Sequence, residues 1–137
     1  MRTPRALAVA FAVMVVFSLL GGVVSAHHSR AGYDTDDKIT TVKGIVTEFQ
    51  WRNPHVYIIW SVKDDKGNVA PWTGEFSSPS TMLSEGLSKG TFKVGDEIAI
   101  TFIPARAGTP QGLVIKIVRP DGRVVIDLSQ RRGLRDP

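Results

Sequence analysis

Short runs in which β-branched and aromatic residues alternate with polar ones limit the fold more than any other feature of the sequence. The strongest run extends from His55 to Lys63. Its alternate positions form one apolar face, consisting of Val56, Ile58, Trp60 and Val62. This two-residue period is typical of a half-buried strand, and breaks rich in Gly, Pro, Asp and Asn separate the runs as turns do. The sequence therefore predicts a mostly β protein with Trp60 in its core.

Six strands and one helix are predicted. In chain order the strands cover Ile39–Trp51, His55–Lys63, Val69–Phe76, Glu97–Ile103, Leu113–Arg119 and Val124–Leu128. A short helix, capped by Ser80 and extending to about Leu87, separates the third strand from the fourth. Gly44 indicates a bulge or bend in the first strand, and Pro71 favours an edge position for the third.

The order of these elements points to one architecture. Three strands, a short helix and two strands is the order of the five-stranded Greek-key barrel called the OB-fold. In that fold the loops joining strands 1 and 2 and strands 4 and 5 frame the usual binding face. The sixth strand would be an addition. The predicted fold class is therefore all-β with one short helix, an OB-fold-like barrel preceded by a signal peptide, and an open β-sandwich is the alternative because periodicity alone does not separate the two.

The amino-terminal 26 residues have the layout of a cleavable secretory signal. Basic residues at Arg2 and Arg5 precede an apolar run, Ala6–Leu20, and a small-residue exit, Val24–Ala26. An uncleaved anchor is the alternative, but the run is shorter than the roughly 20 residues that a spanning helix needs. We expect a periplasmic or secreted bacterial protein with no later membrane span. Its regions would be the signal over 1–26, an extended arm over 27–38, the barrel over 39–128 and a basic tail over 129–137.

Composition excludes several classes of function. The chain has 17 Lys and Arg against 13 Asp and Glu, and loss of Arg2 and Arg5 with the signal would lower the excess from four to two. Such a mild charge gives no broad basic face for nucleic acid. The absence of cysteine excludes thiolate metal sites, thiol nucleophiles and disulfides.

The three histidines are the candidate metal ligands. Cleavage after Ala26 would make His27 the first residue, so its amine and imidazole would chelate one ion, and His55 would add a third nitrogen, with His28 adjacent. Nitrogen sets of this kind suit Cu(II) first and Zn(II) or Ni(II) next. The arrangement resembles the histidine brace of secreted copper proteins at His27 and a second imidazole, but not in its fold. Cleavage one residue earlier would place His28 third, which resembles the amino-terminal Cu(II)/Ni(II) motif. Solvated histidines at a flexible end are the alternative.

A metal-free module that binds a ligand or a protein is the second hypothesis. Its surface would combine the Asn53–His55 loop with Trp51, Trp72 and the loop that contains Arg106. An indole beside a loop can keep one side exposed for stacking. An enzyme is the least favoured class, because the sequence has no His-Glu-x-x-His metal motif, no calcium-binding loop and no glycine-rich phosphate loop.

The mature chain also resembles a known protein family over nearly its whole length. The residues that carry this resemblance are His27-His28-Ser29, Tyr33-Asp34, Gly44-Ile45-Val46, Asn53-Pro54-His55, Trp72, Glu75 and Gly95-Asp96. Together they are similar to a family of small exported bacterial proteins classed as a domain of unknown function. The resemblance implies export and the placement of the histidines, but no reaction. A more distant resemblance to periplasmic ligand-binding OB-fold proteins rests on strand order alone, which does not carry function.

Overall fold

The computed structural model of the protein describes residues 32–34 and 38–134. Six strands and one helix lie in this part of the chain. They are β1 (Thr40–Gln50), β2 (Tyr57–Lys63), β3 (Val69–Glu75), α1 (Pro79–Ser84), β4 (Glu97–Pro104), β5 (Gln111–Val118) and β6 (Val124–Asp127). The predicted elements are therefore present, and their ends differ from the prediction by at most three residues.

Five of the strands close into a barrel. The order across the sheet is β3-β2-β1-β4-β5-β6, and a parallel pairing of Thr73–Glu75 with Gln111–Leu113 joins β3 to β5. The amino-terminal half of β1 pairs with β4 and its carboxyl-terminal half pairs with β2. This closure confirms the OB-fold-like barrel and excludes the open sandwich. β6 pairs with β5 alone and lies outside the ring.

Aromatic and branched side chains fill the barrel. Trp60 is fully buried, as predicted, and its ring centroid lies 6.1 Å from that of Trp72 and 5.8 Å from that of Phe102. No polar or charged residue among those described is fully buried. Removal of each large apolar side chain from water contributes about 1.5–3 kcal/mol, so this interior is the main source of stability in a chain without disulfides.

A bulge in β1 places Phe49 on a different face of the strand from the one that strict alternation predicts. Strict alternation places Phe49 on the same outer face as Ile45. The structure instead has a register shift between Val46 and Glu48, which moves the following residues to the other face. Phe49 consequently packs inward, with its ring centroid 5.1 Å from that of Phe92.

Gly44 serves close packing and is not itself the bulge. A Cβ at this position would lie 2.2 Å from the carbonyl oxygen of Ser61 and 2.6 Å from the Trp60 ring. The backbones of β1 and β2 therefore approach more closely here than any side chain would allow.

The helix begins earlier than predicted. Ser78 is its N-cap, with a side-chain oxygen that accepts a hydrogen bond from the Thr81 amide at 3.3 Å, and Pro79 follows at the first helical position. Proline suits that position because its fixed φ is helical and the missing N–H would have no helical partner. α1 buries Met82 against the barrel. In the part of the chain that the structure describes, no helix has the length and apolar character to cross a membrane.

Candidate functional site

The loop between β1 and β2 brings His55 beside the end of β3. Tyr57 is paired with Glu75 in the β2–β3 ladder, and two further backbone hydrogen bonds, Phe76 to Val56 at 2.9 Å and Val56 to Ser77 at 3.1 Å, continue the pairing beyond the strands. Alternate residues share a face, so His55, Tyr57 and Glu75 project from the same side.

Glu75 joins two other side chains through its two carboxylate oxygens. Its Oε1 lies 2.6 Å from Nδ1 of His55, and its Oε2 accepts a hydrogen bond of 2.5 Å from the hydroxyl of Tyr33. The side chain of Glu75 is 18% exposed and that of His55 is 31% exposed. We call these three residues the Glu75 cluster.

Backbone hydrogen bonds fix the arm residues next to this cluster. Tyr33 forms an antiparallel bridge with Ala105, just after β4. The Asp34 amide donates to the Pro104 carbonyl at 2.9 Å, and the Arg106 amide donates to the Gly32 carbonyl at 2.9 Å. Tyr33 is 9% exposed and packs on Ile103, Ala105, Leu113 and Ile115. Residues 32–34 therefore lie against the loop between β4 and β5, one of the two loops that frame the binding face of an OB-fold.

Two phenols in this region hold their protons more tightly than usual. Burial is the main cause that raises the pKa of Tyr33, and the hydrogen bond to Glu75 and the charge of Glu75 raise it further. The pKa of Tyr57 is also raised, first by burial and then by the Glu75 charge, while Arg52 lowers it. The Arg52 guanidinium lies 5.5 Å from the centroid of the Tyr57 ring. Both phenols are thus neutral at physiological pH, and Glu75 is the acceptor for Tyr33.

The structure brings two of the predicted site residues to the same end of the barrel. His55 belongs to the Glu75 cluster, and Nη2 of Arg106 donates to the carbonyl of Tyr33 at 3.1 Å. Asn53 is exposed in the loop before His55. His27 and His28 lie outside the described residues.

The two tryptophans proposed for a ligand surface pack on the interior instead. Trp72 is half-buried, with its ring centroid 5.2 Å from that of Phe102. Trp51 is also half-buried, with its ring centroid 5.9 Å from that of Phe49. Each keeps some exposed surface, but its main contacts are with the core.

Sequence reasoning gave no role to Tyr33 or Glu75. Both were noticed as residues of the family resemblance only, because neither stands in a recognisable motif. The signal that pointed to Glu75 was its position: an acid at the end of a strand whose partner strand begins two residues after a histidine. Tyr33 gave no such signal, since a long-range backbone bridge places it.

The Glu75 cluster alone has few metal ligands. Across residues 32–34 and 38–134, no group of three or more His, Asp or Glu side chains is arranged to hold a metal ion. The cluster offers one imidazole and one carboxylate, so any metal site there needs donors from outside the described residues.

A groove lies at the other end of the β2–β3 hairpin. Its volume is about 720 Å³. Residues from β1 to β5 and from the β5–β6 turn line it, among them Lys43, Ile45, Lys63, Val69, Val118 and Pro120. Ile45 is 47% exposed and Val69 is 65% exposed, so apolar surface is open to solvent there.

Comparison with protein families confirms the resemblance seen in the sequence. The model of the family of unknown function DUF6152 matches residues 15–116, which is most of the chain. The chain belongs to this family. The matched span contains all three histidines together with Tyr33 and Glu75, and it ends within β5, before β6. No curated protein and no solved structure matches the chain.

Proposed function

We propose that the protein is exported by its amino-terminal signal and binds a divalent transition metal, with Cu(II) favoured over Zn(II) and Ni(II). The ligands would be the amine and imidazole of His27 and the imidazole of His55, with His28 adjacent. The observation that supports this proposal is the contact of Tyr33 with the carboxylate that also contacts His55.

The contacts of Tyr33 would leave the predicted amino terminus within reach of His55. His27 precedes Tyr33 by six residues, a span of at most about 20 Å when fully extended. Tyr33 and His55 touch the same carboxylate, so a chain of that length can fold back to the imidazole. A short tether also lowers the entropy cost of bringing the donors together.

The donor chemistry favours Cu(II). A terminal amine and its own imidazole close one chelate, and imidazole nitrogens suit Cu(II), Ni(II) and Zn(II). Cu(II) binds most tightly to such a set in the usual order of divalent metals. Because the chain has no cysteine, it offers no thiolate ligand for Cu(I). Binding or carriage of the ion is proposed, and no catalytic step is assigned.

Isothermal titration of Cu(II) into the correctly processed protein tests the proposal. Replacement His55→Ala and addition of one glycine before His27 are each expected to weaken binding at least about tenfold, because each removes or displaces a nitrogen ligand. Asn53→Ala is the matched control, since it alters the same loop and leaves every histidine in place. Unchanged affinity in both ligand variants would contradict the proposal.

A metal-free ligand-binding module is the second candidate, and the groove is the observation that favours it. A volume of about 720 Å³ falls within the range of small-molecule sites. Mass spectrometry of the native protein isolated from its host would detect a retained ligand. Ile45→Asp should abolish retention, whereas Leu83→Asp, at an exposed apolar residue of α1, should not. Equal retention by both variants would exclude the groove.

The loop surface of Trp51, Asn53, Trp72 and Arg106 is the other surface for such a module. Partial exposure of both indoles leaves room for a contact with a periplasmic protein. A pull-down from periplasmic extract should recover one specific partner with the wild type and lose it with the Trp51→Ala/Trp72→Ala pair. Recovery that does not differ between the two proteins would exclude this surface.

A further inference from the structure

We infer that Glu75 is a positioning residue that makes Nε2 of His55 the metal-ligating nitrogen and holds the arm at the same time. This inference rests on the proposed function and deepens it. It concerns a carboxylate that would not touch the metal and would act through the imidazole and the phenol that it contacts.

The short contact between Glu75 and Nδ1 of His55 indicates which nitrogen of the imidazole carries the proton. A neutral imidazole carries one N–H, and its other nitrogen holds a lone pair. A carboxylate is an acceptor only, so the 2.6 Å contact between Oε1 and Nδ1 requires the proton to be on Nδ1. The lone pair is then on Nε2, across the ring. His55 has no second hydrogen-bond partner within the described chain, so Nε2 is not engaged there.

A carboxylate beside the second ring nitrogen is typical of histidines that bind metal ions. Histidine ligands usually donate their second N–H to a carboxylate or carbonyl, which sets the ring orientation and raises the basicity of the ligating nitrogen. The imidazole keeps 31% of its side chain exposed while Glu75 keeps 18%. The carboxylate is therefore the inner partner, and the ring is the one that remains accessible to an ion.

Tyr33 links the same carboxylate to the arm. Its hydroxyl donates to Oε2, the oxygen that His55 does not use, so the two contacts do not compete. The main-chain bridge to Ala105 adds a second attachment. One half-buried acid thus contacts both a candidate ligand from the barrel and Tyr33, which follows the proposed ligands of the amino terminus in the chain.

Nitrogen NMR of the metal-free, processed protein tests the tautomer directly. We expect the shifts of His55 to show a proton on Nδ1 in the wild type. In Glu75→Gln the preference should weaken, because an amide can donate to Nδ1 as well as accept from it. Glu85→Gln is the matched control, since Glu85 pairs with Arg131 outside the Glu75 cluster, and it should match the wild type.

Cu(II) titration of the same proteins gives the functional readout. Glu75→Gln should lower affinity about 10- to 100-fold, the usual effect of removing such a partner. Tyr33→Phe should leave the tautomer of His55 unchanged. It should lower Cu(II) affinity about fivefold, which corresponds to the loss of one hydrogen bond. Glu85→Gln should bind as the wild type does.

The outcomes separate this inference from the proposed function. Cu(II) binding by the wild type, with affinity and tautomer unchanged in Glu75→Gln, would overturn the role of Glu75 and leave the metal site standing. Failure of the wild type to bind Cu(II) would overturn the metal site itself. A proton on Nε2 of wild-type His55 would overturn the inference without any variant, which covers the case in which Glu75→Gln does not fold.

Discussion

The wall of the barrel and the Glu75 cluster are built on different principles. Ladder register and apolar burial determine the wall, where residues such as Ile100 are fully buried. The cluster is polar, partly exposed and assembled from three separate segments: the arm, the β1–β2 loop and the end of β3. The wall would keep its shape without the cluster, whereas the cluster depends on the wall to bring its segments together.

This difference separates stability from the proposed function. Burial of apolar area is worth much more than one partly exposed polar contact. Substitutions in the wall should therefore cause the larger losses in the free energy of unfolding and spare metal affinity, whereas substitutions in the cluster should lower metal affinity and cost less stability.

The largest effect is expected in the wall. Ile100→Ala should lower the free energy of unfolding by about 2–5 kcal/mol, because it removes buried methyl groups and leaves a cavity. Urea denaturation followed by circular dichroism measures this loss. The folded fraction should bind Cu(II) with unchanged affinity. Weaker binding by a variant that is still folded would show that the two regions are not separable.

Gly44→Ala should cost about 1–3 kcal/mol, because the added Cβ meets a backbone oxygen that cannot move independently. Gly90→Ala is the matched control: a Cβ there has no neighbour within 4 Å, so its effect should stay within about 0.5 kcal/mol. Chemical denaturation of both variants checks the pair. Equal effects would mean that β1 and β2 are not held as closely as the structure shows.

Tyr33→Phe should lower the free energy of unfolding by about 1–2 kcal/mol, because a hydrogen bond to a carboxylate is lost. Its pH dependence gives a second test. The pKa of Tyr33 is raised in the folded protein, so its contribution is complete below the unfolded-state pKa of about 10 and is lost as the pH rises above it. Wild-type stability should fall more steeply above pH 10 than that of the variant. Parallel pH profiles would contradict the Tyr33–Glu75 contact.

The smallest effect is expected at Asp127, in β6 outside the ring of the barrel. A hydrogen bond from the Ser129 hydroxyl, and then one from Lys116, lower the pKa of Asp127 to about 2. Because the folded-state pKa is depressed, the stabilisation is complete above the ordinary value of 3.8 and is lost as the pH falls toward 2. Asp127 is partly exposed, so screening should limit the loss in Asp127→Asn to less than about 1 kcal/mol.

Urea denaturation across pH 2 to 7 checks this window. Asp65→Asn, at an exposed turn residue, is the control and should track the wild type. If Asp127→Asn were as much less stable than the wild type at pH 2 as at pH 7, the ion pair and hydrogen bonds of Asp127 would not be the cause of the difference.

The wall of the barrel was predicted well because local sequence patterns determine it. Alternation around Trp60 indicated a buried strand, and the strand order indicated closure. A bulge or bend in the first strand was predicted from Gly44, but the position of the bulge between Val46 and Glu48 was not, since it depends on the register with the partner strand.

The candidate site was predicted less completely. His55 was singled out because histidine is rare in this chain, with three in all, and Arg106 because it lies in the β4–β5 loop. Glu75 and Tyr33 were not given a role, because their meeting depends on the β2–β3 register and on a bridge between residues 33 and 105. No short-range pattern encodes such a contact.

Electron paramagnetic resonance of Cu(II) bound to the processed protein tests the central claim most directly. The account predicts a spectrum with several equatorial nitrogens in the wild type, and one fewer in His55→Ala, because an imidazole from the barrel and donors from the amino end share one ion. An identical nitrogen pattern in both proteins would contradict it, since the copper would then be bound by the amino terminus alone.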